Sequence, residues 1–215
     1  ELISLMVGRE IEQLFPVSEK TMGEKVLSVN NLGQNGKFSG VSFDLHAGEV
    51  LGIAGLMGAG RTEFIRTLCG IEKADDGQCY LRGEMVQINS PMQAIRLGIG
   101  HVSEDRKGLG FIPRLSVLQN LTLSSLGNHQ KGLFIDPKSE SQVAQKMIAG
   151  LKIKCSSAKQ QVGFLSGGNQ QKVVIGRVLL TNPDIIILDE PTRGVDVGAK
   201  FEIYQLIAEL AKKNK

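Results

Sequence analysis

Cysteine, histidine and charge of one sign are all scarce in this chain, and each shortage closes off a class of function. Of the 215 residues, three are cysteine and three are histidine. Cys69, Cys79 and Cys155 stand far apart with no C-x-x-C pair. They read as buried or incidental thiols, not as a metal site or a disulfide framework. His46, His101 and His129 lack metal-ligand spacing, so no chemistry is assigned to them. Twenty-five basic against 22 acidic residues leave a net charge of +3. The basic residues are dispersed apart from Lys212-Lys213-Asn214-Lys215, which gives nucleic-acid binding no support. No apolar run approaches the roughly 20 residues needed to cross a bilayer. Glu1 leads into no basic cluster followed by an apolar core, so no signal peptide is expected. A hydrophobic content of 41% is that of a globular protein, and the length suits one α/β domain with a small extension.

What is present is glycine and carboxylate in three patterned places. Leu165-Ser166-Gly167-Gly168-Asn169-Gln170-Gln171-Lys172 sets a hydroxyl and two glycines at the start of an expected helix. Free N–H groups and the helix dipole favour an anion there. A plain helix N-cap is the rival reading of that turn. Ile185-Ile186-Ile187-Leu188-Asp189-Glu190-Pro191-Thr192 is a buried-strand pattern that ends on two adjacent carboxylates. Such a pair is suited to holding Mg²⁺ and orienting a water. Val50-Leu51-Gly52-Ile53-Ala54 reads as a short apolar strand running into Gly55-Leu56-Met57-Gly58-Ala59-Gly60-Arg61-Thr62, with a helix beginning at Glu63. Strand, glycine-rich loop and helix form a phosphate cradle, because backbone N–H groups must approach the phosphates closely. Arg61 stands where that pattern has lysine, and offers a planar five-donor fork in place of a point charge. Thr62 keeps the hydroxyl that would ligate Mg²⁺.

Elsewhere the periodicities place supporting elements. Glu1–Leu14 has helical spacing, and the polar stretch Ser18–Lys25 reads as a linker. Val26–Asn30 and Val41–Leu45 alternate as half-buried strands do. Gln78–Leu81 and Met85–Ile88 bracket a hairpin turn. Ser90-Pro91 caps a helix through Leu97. Helical stretches are expected from Leu115, over Ser139–Leu151, from Gly168 to near Asn182-Pro183, and over Ala199–Ala211. The Ser103-Glu104-Asp105-Arg106-Lys107 cluster follows a strand, and a solvated charged loop is its bland reading.

Together these motifs resemble the ATP-binding cassette family, in which an LSGGQ-like signature precedes a strand ending in Asp-Glu-Pro-Thr. The blocks GLMGAGRTE, SEDRKGLG, LSGGNQQKVVIGR and ILDEPTRGVDVGAKFEIYQLI look like the second, C-terminal cassette of bacterial monosaccharide-importer ATPases, most like ribose-type members. The resemblance implies a P-loop NTPase α/β core with an antiparallel β subdomain and an α-helical subdomain. Residues 1–24 would be the end of a preceding cassette and linker, and 25–215 the second cassette. A further central strand, between that before Gly55 and that ending at Asp189, would lie beyond Lys215.

ATP and Mg²⁺ are the implied cofactors. Gly55, Gly58, Ala59, Gly60, Arg61, Thr62 and Glu63 would bind the nucleotide. Thr62 and Asp189 would hold the metal, and Glu190 would activate water. Glu104 aligns with a glutamine that contacts Mg²⁺, the water and the membrane partner. Ser166, Gly167, Gly168 and Asp196 would serve a nucleotide shared with the first cassette of the same polypeptide. Further implied partners are membrane permease subunits and, indirectly, a periplasmic sugar-binding protein. The implied place is the cytoplasmic face of the bacterial inner membrane. Two alternatives stay open: a weakly hydrolysing regulatory nucleotide-binding module, suggested by Arg61 and Glu104, and a non-transport cassette ATPase.

Overall fold

The computed structural model describes residues 23–215, so the helix expected over Glu1–Leu14 and most of the linker lie outside the described residues. Contacts divide the described chain into two units. The first comprises residues 23–101, 183–189 and 208–215, and the second residues 102–182 and 190–207.

The first unit is built on an antiparallel sheet of order β2-β1-β3-β4. Its strands are β1 (Lys25–Gln34), β2 (Phe38–His46), β3 (Asp76–Leu81) and β4 (Glu84–Val86). Alternation along β1 sends Leu27 and Val29 inward, where each is at most 3% exposed. The expected hairpin forms, with Arg82 and Gly83 turning at positive φ of 49° and 85°. Helix α1 (Arg61–Leu68) lays Phe64, Ile65 and Leu68 into the same core. The Phe64 ring meets Phe38 and Phe43 edge-on, at centroid distances of 5.6 and 6.0 Å, a favoured aromatic geometry. Helix α2 (Pro91–Arg96) starts as its sequence dictates: Ser90 accepts from the Gln93 amide and Pro91 occupies the first turn. Strands β5 (Ile99–Val102) and β8 (Ile185–Leu188) pair as a second, two-stranded sheet.

One expected element is missing. Residues 50–54 form no strand, and Val50, Leu51 and Ile53 are 64, 39 and 44% exposed. An apolar composition supplies strand propensity but not a partner, and a strand exists only through its ladder. Among the described residues nothing pairs with this segment on either side.

The second unit is helical. Helix α3 (Val117–Thr122) packs with α4 (Pro137–Gly150), which follows the β6–β7 hairpin (Gln130–Lys131, Phe134–Ile135), and with α5 (Gly167–Leu179). Ser116 and Gln119 close a reciprocal capping box at the start of α3. Gly176 lets the helices approach: a methyl group there would stand 2.7 Å from Leu121, 3.0 Å from Leu151 and 3.1 Å from Met147. Arg177 on α5 donates to the carbonyls of Gly110 and Asn120. Burial lowers the pKa of its guanidinium. Lys172, with a side chain only 7% exposed, pairs with Glu202 at 2.6 Å and donates to the Lys152 carbonyl. Glu202 sits on helix α6 (Val197–Lys212).

Candidate functional site

In the first unit, the glycine-rich loop leads into α1. Gly58 and Gly60 both hold φ of +80°, a region that L-residues enter only at a cost. Gly60 is also pressed close: a Cβ on it would lie 2.5 Å from the Lys37 carbonyl oxygen and 2.9 Å from Phe38 Cβ. Gly58, by contrast, opens onto space. The loop is closed by the Ala59 amide donating to Leu56 and the Phe64 amide donating to Gly60. No side chain caps α1, which leaves its N-terminal amides to an anion. The aliphatic stem of Arg61 folds back over the loop's origin, its Cγ and Cδ 3.5 Å from where a Gly55 Cβ would be. Thr62 and Glu63 occupy the first turn.

The helix is clamped from its far end. Glu72 accepts from Lys37 Nζ and Arg66 Nε, both at 2.6 Å. These two partners pull its carboxyl pKa from the ordinary 4.5 down to about 2. Asp189, at the end of β8, is 7% exposed.

In the second unit, Glu190 is exposed and has φ of +46°, a strained backbone for a residue with a side chain. Ser166 precedes α5 without capping it; its Oγ instead accepts from Asn169 Nδ2 at 2.8 Å. The plain N-cap reading of this turn therefore fails, and the first amides of α5 receive no side chain from it. Gly167 and Gly168 are there for proximity. A Cβ on Gly167 would lie 3.1 Å from the Gly194 carbonyl oxygen, and one on Gly168 would overlap Ala199 Cβ. Asp196 accepts from the Ala199 amide at 2.8 Å and so caps α6. Glu104 is engaged in an ion pair with Arg193.

The sequence placed the turns correctly but missed these last contacts. Arg193 and Ala199 carry no motif chemistry, and only their presence within the ILDEPTRGVDVGAK block hinted at a role. The cysteines are free, and burial pushes the Cys69 thiol up to about 12, leaving it protonated and inert. Among the described residues no cluster of three His, Cys, Asp or Glu could hold a metal. A Mg²⁺ held by one carboxylate, a hydroxyl and substrate phosphates needs no such cluster. Thr62 and Asp189 supply a hydroxyl and a carboxylate of that kind. No helix among the described residues is long and apolar enough to cross a membrane.

The profile of the ABC transporter family matches residues 38–193. The chain is 51% identical over 211 residues to the ribose import ATP-binding protein RbsA of Geobacillus kaustophilus, covering 98% of this chain and 43% of that protein. It is 52% identical over 210 residues to a Pseudomonas fluorescens protein provisionally named a ribose/galactose/methyl galactoside import ATP-binding protein, covering 98% and 41%. The chain thus spans about two fifths of the length of the curated relatives it matches. Among solved structures, it superposes on a nucleotide-free ATP-binding cassette from an ABC transporter with a TM-score of 0.75 at 28% identity, over 89% of this chain and 79% of that one.

Proposed function

Because this chain belongs to the ABC transporter family of ATP-binding cassettes, we propose that it is the second, C-terminal cassette of a bacterial monosaccharide-importer ATPase, ribose-type in its sugar. The observation that carries the reading is a pair of uncapped helix N-termini on glycine turns: α1 behind Gly60 and α5 behind Ser166. One suits the nucleotide of this cassette, the other a nucleotide presented by a partner cassette.

In this reading the amides of residues 58–62 cradle the phosphates, with Arg61 adding charge and Gly55 and Glu63 framing the loop. Thr62 and, through water, Asp189 would hold Mg²⁺, whose chemistry is to neutralise charge on the β- and γ-phosphates. Glu190, exposed and at positive φ, positions the attacking water. Ser166, Gly167 and Gly168 meet the opposite nucleotide, and Asp196 lies at the same face. Residues 1–24 belong to the first cassette and its linker. The permease binds the face that carries Glu104, at the cytoplasmic side of the inner membrane, and a periplasmic sugar-binding protein acts through that permease. No nucleic acid is involved.

One observation favours a weaker site as the second reading: Glu104, the candidate ligand for metal and water, is occupied by Arg193. The test is the full-length protein with its permease in vesicles. ATP-driven ribose uptake should fall about a hundredfold in Glu190→Gln, or ~2.7 kcal/mol of transition-state stabilisation, while ATP still binds. Unchanged hydrolysis at this site would support the weaker reading. Uptake of another sugar in preference to ribose would overturn the sugar assignment, and absence of any ATP-driven uptake would overturn the importer reading.

A further inference from the structure

The stretch that follows β5 holds an arginine for which the phosphate chemistry has no use. Asp105 caps the tight turn Arg106–Gly110 by accepting from the Gly108 amide at 2.9 Å. Arg177 of α5 grips the far end of that turn through the Gly110 carbonyl. The turn is thereby fixed, and the Arg106 side chain is aimed from it at two glycines. One of its terminal nitrogens, Nη2, stands 3.3 Å from where a Gly167 Cβ would be and 3.9 Å from where a Gly194 Cβ would be. The other, Nη1, points at the Arg193 carbonyl, 3.5 Å away.

Arg193 is held from its other end too, since its own guanidinium pairs with Glu104. Glu104, Arg106, Arg193, Gly167 and Gly194 thus close a ring around the signature turn and the loop leading to Asp196. The Arg106 Nε is buried with no hydrogen-bond partner among the described residues. Burial also lowers the pKa of the guanidinium, which stays cationic. Leaving a buried donor unmet is unfavourable, so this arginine is not placed for hydrogen-bond economy.

We propose that Arg106 is a positioning residue for the cassette reaction: its planar fork holds the signature turn and the Asp196 loop in register with each other. The inference rests on the functional reading above for its consequence, though not for its geometry. The fork must touch the Arg193 carbonyl and lie across two glycines at once, which a planar guanidinium can do and a single ammonium cannot. A side chain at Gly167 would crowd the fork, and one at Gly194 would be strained by its φ of +65°. The segment bearing Glu104 is thereby coupled to the signature, so that a displacement of residues 104–110 is transmitted to Gly167.

The test uses the full-length protein as parent, Arg106→Ala and Arg106→Lys, with two readouts. Amide hydrogen exchange of residues 167–169 and 194–198 should accelerate about tenfold in Arg106→Ala, while α4 keeps the parent rate. Steady-state ATP hydrolysis should show kcat falling about tenfold with KM for ATP within about twofold, because nucleotide binding at the phosphate loop is untouched. Arg106→Lys should recover less than half of either effect.

Unchanged exchange in both segments would overturn the proposal, as would acceleration spread evenly over residues 102–182, the mark of a merely structural role. Full recovery in Arg106→Lys would overturn it by showing that charge alone suffices. If Arg106→Ala fails to fold, Arg106→Lys carries the exchange measurement, and parent-like rates in it overturn the proposal. A parent that hydrolyses no ATP would sink the functional reading but leave the exchange readout decisive.

Discussion

The phosphate loop and the signature turn are both glycine-rich approaches to a helix, yet they use glycine for opposite reasons. At Gly58 the backbone is left-handed and the space beyond it is open. Conformation is what requires glycine there. At Gly167 and Gly168 the backbone φ is ordinary, but neighbouring groups stand where a Cβ would go. Proximity is the requirement there, and Gly60 shows both demands at once. The difference teaches that a glycine motif read from sequence does not say which property of glycine is in use. The two uses respond to mutation with different signatures.

The sharpest break would come at Gly168. Alanine in a helix ordinarily gains about 1 kcal/mol over glycine. Here Gly168→Ala should instead cost ~1–3 kcal/mol by overpacking against Ala199. Chemical denaturation measures it. Combination with Ala199→Gly should recover part of the loss as a coupling energy, and additive losses would show that the two residues do not meet. This collision also makes Gly168→Asp a poor probe of nucleotide contact, since it would disturb packing and charge together.

Gly58→Ala should act differently: held in the left-handed torsion an alanine would carry ~1–2 kcal/mol of strain, which the open loop can shed by changing that torsion. The loop has room, so global stability should hardly move. ATP affinity should fall about tenfold, as read by nucleotide titration. A stability loss equal to that of Gly168→Ala would erase the distinction between the two turns.

A smaller effect is expected at Arg61, whose stem lies across Gly55. Arg61→Lys should change nucleotide affinity by no more than ~1.4 kcal/mol, or tenfold, without a large rise in transport. Arg61→Ala should weaken binding more, because a phosphate-facing cation is lost. Nucleotide titrations would compare the two variants.

Acid should separate the two regions most gently. The Glu72 carboxyl is depressed from 4.5 to about 2 by Lys37 and Arg66. Its contribution is therefore complete above pH 4.5 and is lost as pH falls toward 2, where the folded form takes up the proton. Melting temperature should drop across that window, and Glu72→Gln should flatten the drop. Because Glu72 fixes Lys37, whose carbonyl abuts Gly60, exchange around the phosphate loop should quicken first. The turn at Gly167 and Gly168, packed against Gly194 and Ala199, should follow later. Simultaneous loosening of both would count against this division.

Much of this was legible in the residues themselves. The helices at Arg61, Pro91, Val117, Pro137, Gly167 and Val197 follow from apolar spacing and from caps such as Ser90 and Ser116, because those signals are local. The candidate turns were placed by glycine spacing and by the Asp189-Glu190 pair, again within a few residues of chain. What depended on distant partners was not legible. Residues 50–54 have strand composition but pair with nothing among the described residues, since a ladder requires a neighbour that composition does not name. Ser166 looked able to cap its helix, and Asn169 took the hydroxyl instead. Asp196 acts as a cap for α6, and Glu104 found Arg193 89 positions away.

The sequence by itself determined where glycine, hydroxyl and carboxylate stand relative to helix starts and strand ends, because hydrogen bonding and side-chain periodicity act over a turn or two. Only the tertiary structure decided which glycines are needed for torsion and which for closeness, and which cation lies beside Gly167. Those are contacts between segments far apart in the chain, and close packing, not local propensity, selects them.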